Sequence, residues 1–236
     1  RMGIEAQRRA APFCMGSLFW QMNDCWPAVS WSAVDYFGER KALYYQAAKA
    51  FRPDIVSPLV ENDTIRIFLV SDSPGSREFT LRLGLIDFDG VLLREISKSL
   101  PPSFKQGMPA CQIPLGELIE DMAPGTVLLR CELLSGGETA AENLLYFVSP
   151  KDLVLPDPRL KASISEIPGG GGFVVELRTE KLAKDVCLSM PGCDVTFSDN
   201  YFDIPPGGKA AVVCRTKIKP AEAEKRLKIR TLADID

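Results

Sequence analysis

The 236-residue sequence contains no histidine. Ser-His and Cys-His catalysis both need an imidazole base, so this absence excludes those two mechanisms. The seven cysteines are scattered and include no Cys-x-x-Cys pair, so the sequence offers no ligand set for a metal. We therefore predict buried or free thiols and no metal or cofactor.

The sequence also lacks a long apolar run and an excess of cations. Its longest uncharged apolar stretch, residues 10–22, is interrupted by Pro12 and Gly16 and is shorter than the roughly 20 residues that span a bilayer. The net charge is −3, and the one block of cations lies between Lys217 and Lys228. We expect neither a nucleic-acid nor a membrane partner.

What is present is typical of a folded chain, with 46% hydrophobic and 25% charged residues. At roughly 100–150 residues per domain, the length suggests two domains and an additional segment. Residues 1–11 have the pattern of a helix that ends before Pro12, so we expect the natural N-terminus to lie upstream.

Residues 1–53 differ in kind from the rest. After the first helix, residues 16–21 form a short apolar pattern that predicts a strand, and residues 38–52 predict a helix with one apolar face. Helix and strand alternation is typical of α/β architecture, but one strand cannot form a sheet. We therefore expect this region to complete a domain whose other parts lie outside the sequence.

From residue 54 the pattern alternates with a period of two. Ile65, Ile67 and Leu69 face one way, and the run from Phe79 to Leu85 repeats this alternation. Residues 87–90 and 135–138 supply turn residues between such runs. About seven short strands at this spacing predict an immunoglobulin-like sandwich over residues 54–154.

A linker with three prolines, residues 149–158, precedes a second and smaller β pattern over residues 155–236. The prolines exclude an α-helix there and indicate a domain boundary. The glycine run at residues 169–172 has no Lys-Ser/Thr and no helix after it, so it predicts a strand connection and not a phosphate-binding loop.

The most informative stretch is GSLFWQMNDCWPAVSWSAVDY, residues 16–36, which holds all three tryptophans of the chain. A carbohydrate site needs flat aromatic platforms beside Asn, Asp and Gln groups, because sugars present both apolar faces and hydroxyls. The alternative is that Trp20, Trp26 and Trp31 fill a core.

This stretch, followed by KALYY at residues 41–45, resembles the last barrel strand, loop and helix of the β-mannosidases of glycoside hydrolase family 2. Three further marks agree, namely AENLLYF at 141–147, PKDL at 150–153 and FSDNYFDIPPG at 197–207. The resemblance implies a mainly β chain with two tandem immunoglobulin-like β-sandwiches, preceded by the last strand-helix unit of a (β/α)8 TIM barrel. The implied domains are 1–53, 54–154 and 155–236.

The resemblance further implies the C-terminal part of a retaining exo-β-mannosidase that acts on mannose-containing oligosaccharides. Both catalytic glutamates of the family come from earlier barrel strands, and the acidic residues of residues 1–53 do not match them. We therefore expect no catalytic residue here, an inactive fragment, and the upstream domains of the same polypeptide as partners.

The resemblance also suggests site residues. Trp20 is expected to line the subsite for the terminal mannose. Asn23, Asp24 and Trp26 are assigned either to the pocket rim or to shaping the loop. Trp31, Asp35 and Tyr36 are expected to be structural and to pack and hydrogen-bond the loop to the last helix.

Two alternatives remain open from the sequence. The sandwiches could be carbohydrate-binding or purely structural modules, with Tyr201 and Phe202 as the nearest aromatic candidates and core packing as their expected use. The enzyme could instead cleave another β-glycoside, although Asn23-Asp24 with Trp26-Pro27 favours mannosides.

Overall fold

A computed structural model describes residues 1–72, 77–101, 107–120 and 122–235. The chain divides into two compact units. The first comprises Arg1–Trp20, Gln46–Asp87 and Val91–Val154, and the second comprises Gln21–Tyr45, Phe88–Gly90 and Leu155–Asp236.

The described residues form a mainly β structure with few, short helices. The helices are α1 (Met2–Arg9), α2 (Ala42–Ala50), α3 (Leu115–Ile119) and α4 (Pro220–Arg226), with 3-10 turns at Pro150–Asp152 and Leu232–Asp234. The strands are β1 (Asp54–Glu61), β2 (Thr64–Ser71), β3 (Phe79–Asp87), β4 (Leu92–Leu100), β5 (Pro109–Pro114), β6 (Val127–Ser135), β7 (Glu138–Tyr146), β8 (Lys161–Glu166), β9 (Gly172–Arg178), β10 (Ala183–Ser189), β11 (Thr196–Phe197), β12 (Phe202–Ile204), β13 (Lys209–Arg215) and β14 (Lys228–Arg230).

The first unit contains a sandwich of two antiparallel sheets, ordered β1-β2-β5 and β4-β3-β6-β7. The alternating residues predicted to face inward are buried: Ile65, Ile67 and Leu69 on β2, and Phe79 to Leu85 at every second position on β3. Burial of one face of each strand is what period-two patterning produces. The predicted seven-stranded sandwich is confirmed.

Turn chemistry fixes the register of two hairpins in this unit. Between β6 and β7, Gly136 and Gly137 have φ values of +59° and +86°, as a type I′ turn requires. Between β3 and β4, the amide of Val91 donates to the Asp87 carboxylate at 2.8 Å. Both turns lie where the sequence predicted them.

The second unit contains sheets ordered β11-β13-β9-β8 and β12-β10-β14. Phe173, Leu177 and Leu188 are among the fully buried side chains of its core. The glycine run connects β8 to β9 as expected. A Cβ added at Gly172, where φ is +148°, would lie 2.0 Å from the carbonyl oxygen of Cys214.

Residues 16–21 form no strand, so that prediction was wrong. A strand needs neighbours for its N–H and C=O groups, and among the described residues this segment joins no sheet. A barrel unit is accordingly not visible. The second helix also begins later than predicted, at Ala42, because the Asp35 carboxylate first closes a turn by accepting from the amides of Phe37 and Glu39.

The proline-rich linker holds no α-helix, as predicted, but Pro150–Asp152 forms one 3-10 turn. Pro150 occupies its first position, where the missing N–H removes no hydrogen bond. The linker therefore has more local structure than its three prolines suggested.

Candidate functional site

The aromatic-rich stretch is largely exposed. Ten exposed large apolar side chains lie in residues 13–37: Phe13, Met15, Leu18, Trp20, Met22, Trp26, Val29, Trp31, Tyr36 and Phe37. We call residues 13–37 the exposed apolar segment. The tryptophans do not fill a core, since Trp20 is 75% exposed and Trp26 and Trp31 are each 68% exposed.

The four predicted site residues lie in different settings. Trp20 ends the part of the segment that belongs to the first unit, whereas Asn23, Asp24 and Trp26 belong to the second unit. Asn23 and Trp26 are exposed, but Asp24 is buried at 7% exposure. Exposure leaves the side chains of Trp20, Asn23 and Trp26 accessible to a ligand.

Asp24 is held by side chains of its own loop. Its carboxylate accepts from Ser30 Oγ at 2.5 Å, from Ser32 Oγ at 2.8 Å and from Lys41 Nζ at 3.0 Å. These donors hold the pKa of Asp24 at about 2, below its ordinary value of 3.8, with the Ser30 hydroxyl as the largest cause. We call Asp24, Ser30, Ser32 and Lys41 the Asp24 cluster.

Backbone hydrogen bonds close the loop around this cluster. The amide of Asp24 donates to Val34 O at 3.0 Å, and the amide of Ala33 donates to Gln21 O at 3.0 Å. The Asn23 side chain donates to Asp24 O at 3.2 Å. The loop is thus ordered by local bonds even though it belongs to no sheet.

No hydrogen bond ties Trp31, Asp35 or Tyr36 to α2, the helix that follows the loop, in this described part of the chain. Asp35 bonds the backbone of its own turn, as described above. Trp31 and Tyr36 are 68% and 50% exposed, so their predicted packing role was wrong for the described chain. Tyr36 contacts the neighbouring Phe37 edge-on, with ring centroids 5.3 Å apart.

The sequence reading missed Ser30, Ser32 and Lys41. All three lie in the quoted motifs, within SWS and KALYY, but nothing in the sequence signals that they meet. No spacing rule links them to Asp24, because Lys41 is 17 residues away.

A second buried carboxylate, Glu5, lies in the first unit. It accepts from Arg1 Nε at 2.6 Å and from Ser57 Oγ at 2.6 Å, and Asn143 Nδ2 lies 3.4 Å from both of its oxygens. Like Asp24, it serves the local structure, and its oxygens are already engaged.

Tyr201 and Phe202, the aromatic candidates on the sandwiches, are used in packing. Phe202 is buried in the core of the second unit, and the half-buried Tyr201 ring lies 6.1 Å from that of Tyr45. Across the described ranges no group of three His, Cys, Asp or Glu side chains is arranged to hold a metal ion, and no helix has the length and apolarity of a membrane span.

Comparisons with known proteins agree on one family. A profile described as an Ig-fold domain, Ig_mannosidase, matches residues 155–235, and one described as a mannosidase Ig/CBM-like domain matches residues 63–152. The chain is 29% identical over 231 residues to a β-mannosidase of Capra hircus, a match that covers 93% of this chain. The crystal structure of the β-D-mannosidase from Dictyoglomus thermophilum is similar over 97% of this chain, with a TM-score of 0.80 and 26% identity.

This chain is a relative of the C-terminal region of the family 2 β-mannosidases. Its two sandwiches are the immunoglobulin-like domains of that region. The chain spans 26% of the Capra hircus protein and 28% of the Dictyoglomus thermophilum chain.

Other relatives extend the comparison. A β-mannosidase A of Aspergillus clavatus is 29% identical over 216 residues, which cover 84% of this chain and 23% of that protein. The exo-chitosanase of Amycolatopsis orientalis has a TM-score of 0.68 at 15% identity, over 97% of this chain and 32% of that chain. At that identity the likeness concerns the fold alone.

Proposed function

We propose that this chain is the C-terminal part of a longer exo-β-mannosidase, which hydrolyses terminal β-D-mannose from oligosaccharides. The observation that carries the proposal is the match to β-mannosidases over 93% of the chain, together with a structural likeness over 97% of it. The domains we propose are 1–53 as the end of a catalytic barrel and 54–154 and 155–236 as the sandwiches.

The chemistry we propose is retaining hydrolysis by two glutamates from the preceding polypeptide. A retaining glycosidase needs two carboxyl groups about 5–5.5 Å apart, one as nucleophile and one as acid/base. Glu5 and Asp24 are engaged by their neighbours, and Asp35 caps a turn. This engagement supports the expectation that the chain alone is inactive.

The exposure of the apolar segment supports the proposal that upstream domains of the same polypeptide cover it. Soluble chains rarely leave many neighbouring large apolar side chains in water. In this proposal Trp20 stacks on the terminal mannose, Asn23 and Trp26 lie at the rim of the pocket, and Asp24 shapes the loop. Their exposure and the bonds of Asp24 favour this division of roles.

The test is an assay of the full-length protein and of this chain on a panel of aryl β-glycosides. We expect the full-length protein to prefer the β-mannoside and this chain to hydrolyse none. A preference for a galactoside or glucosaminide would overturn the substrate assignment. Full-length Trp20→Ala is expected to raise KM for the mannoside, while the exposed Val60→Ala on β1 serves as its control.

A second candidate is a carbohydrate-binding module, favoured by the match to a mannosidase Ig/CBM-like domain. Gel retardation of this chain on soluble mannan, with Trp26→Ala as a paired variant, tests it. Retardation that survives Trp26→Ala would show that glycan binding does not depend on Trp26.

A further inference from the structure

Lys41 joins three separate points of the loop. It directly precedes α2, and its Nζ lies 3.0 Å from Asp24 Oδ2 and 2.8 Å from Ser32 Oγ. The same nitrogen lies 3.4 Å from both the carbonyl and the hydroxyl oxygen of Ser30. One ammonium group, with three protons to donate, thus holds the start and the end of the tryptophan-bearing part of the loop.

The first consequence concerns Trp26. Asp24 and Ser30 flank residues 25–29, all of which are exposed, and their side chains bond to each other across that interval. Ser30 Oγ also accepts from the amide of Ser32 at 3.0 Å. Residues 25–29 therefore form a short exposed loop, and the hydrogen bond between Asp24 and Ser30 joins its two ends.

The second consequence concerns Trp31, which lies between the two serines of the cluster. The hydroxyls of Ser30 and Ser32 both turn inward to Asp24. The backbone bends at Trp31, between the two inward serines, and the Trp31 side chain points to solvent. Its 68% exposure agrees with this direction.

We propose that Lys41 is a positioning residue: through Asp24, Ser30 and Ser32 it holds Trp26 and Trp31 in one arrangement from which they meet the sugar. The contact of Trp26 and Trp31 with a sugar rests on the proposed function, whereas the ordering of the loop by Lys41 does not. Without the ammonium, the buried carboxylate of Asp24 keeps only hydroxyl donors and draws in water. The loop then populates several arrangements, and a ligand must order it on binding.

The direct test uses this chain labelled with 5-fluorotryptophan, because three tryptophans give three fluorine NMR signals. Single Trp→Phe variants assign them. In the unchanged chain we expect one narrow signal each for Trp26 and Trp31. In Lys41→Met the signals of Trp26 and Trp31 should broaden or split. The signal of Trp20 should stay unchanged, because none of the hydrogen bonds described above joins Trp20 to the cluster.

Two further variants separate positioning from general loss of structure. Lys225→Met removes an exposed ammonium on α4 and should leave all three signals unchanged. Lys41→Arg keeps the charge and should restore narrow signals at least in part. If Lys41→Met does not fold, Asp24→Asn with Lys41→Met removes both charges together and is expected to fold with the Trp26 and Trp31 signals still broadened.

A kinetic arm uses the full-length protein. We expect Lys41→Met to raise KM for an aryl β-mannoside on the order of tenfold with a smaller change in kcat, as loss of a binding platform predicts. Unaltered Trp26 and Trp31 signals in Lys41→Met and in the double variant would overturn the ordering role. If Lys41→Met broadens the Trp26 and Trp31 signals but leaves KM unaltered, the proposed contact of these side chains with the sugar is overturned. A full-length protein without any mannosidase activity would refute the proposed function and leave the NMR result standing.

Discussion

Asp24 shows how one residue of the candidate site depends on its surroundings. Its folded-state pKa of about 2 lies below the ordinary 3.8, so the charged form is favoured in the folded chain. A depressed carboxyl pKa stabilises the fold above the unfolded pKa, and this stability is lost as pH falls through the folded pKa. Between pH 4 and pH 2 the contribution of Asp24 should therefore fade.

We expect Asp24→Asn to lower the thermal unfolding midpoint at pH 7 by several degrees and to differ little from the unchanged chain near pH 2. Thermal scans at pH 7, 4 and 2 measure this. Glu95→Gln, on the exposed strand β4, is the control for the loss of a surface carboxylate. A constant difference across the pH range would contradict the role assigned to the Asp24 charge.

Gly172 is a position where the backbone demands glycine. A Cβ there would meet Cys214 O at 2.0 Å, whereas at Gly170, with φ of +82°, nothing lies within 4 Å. Gly172→Ala should cost about 1–3 kcal/mol from the clash, and about another 1–3 kcal/mol if the backbone stays strained. Urea denaturation should show a clearly larger loss of unfolding free energy for Gly172→Ala than for Gly170→Ala. Equal losses would mean that the positive φ of each glycine, and not the clash with Cys214 O, determines the cost.

The cysteines differ in burial, and this determines their reactivity. Burial raises the pKa of the Cys214 thiol to about 12 and also raises that of Cys131, so neither forms the reactive thiolate near neutral pH. Cys25 is exposed. With iodoacetamide and peptide mass spectrometry, we expect Cys25 to be modified in the native chain and Cys131 and Cys214 only after unfolding. Early modification of Cys131 would show that the core of the first sandwich opens.

Among the elements, α1 is tied to the first sandwich by polar groups. Asn143 on β7 donates to Val56 O on β1 at 3.0 Å and lies beside Glu5 of α1, which also accepts from Ser57. This gives the AENLLYF motif a physical role, since Asn143 satisfies buried groups of two other elements.

Asn143→Ala should leave Val56 O and Glu5 short of a donor, at a cost of about 1–3 kcal/mol. Hydrogen exchange measured by mass spectrometry should show faster exchange in α1, and urea denaturation a lower midpoint. Glu138→Ala, at the exposed start of the same strand, is the matched control. Unchanged exchange in α1 would mean that contacts other than those of Asn143 hold the helix.

The elements also separate what patterning predicts from what it does not. On β2 and β3 each inward residue packs on a core shared with a second sheet, so alternation in sequence became alternation in burial. Residues 16–21 carry an equally apolar pattern, yet they join no sheet in the part of the chain that the structure describes. Apolar pattern indicates a strand only where partner strands exist. The start of α2 was missed because the Asp35 turn and the bridge of Arg40 to Val34, which precede the helix, are invisible to periodicity.

For the whole molecule, the exposed apolar segment is the dominant surface feature. We expect this chain to bind a hydrophobic dye such as anilinonaphthalene sulfonate while retaining a cooperative unfolding transition. Leu18→Ser should weaken dye binding, because Leu18 is 99% exposed, and should leave the unfolding midpoint unchanged. The full-length protein should bind less dye per molecule. Dye binding absent from this chain would contradict the proposed covering by upstream domains.

The sequence by itself determined the two sandwiches and their turns, because burial of alternate residues and the backbone needs of glycine, proline and aspartate turns are local properties. Its motifs carried the resemblance to the family. It also located the aromatic segment. Only the tertiary structure decided that Asp24 faces inward while Trp26 and Trp31 face water, and that Lys41 and Asn143 each join distant parts of the chain. Such partnerships depend on which groups meet after folding, and sequence spacing does not record them.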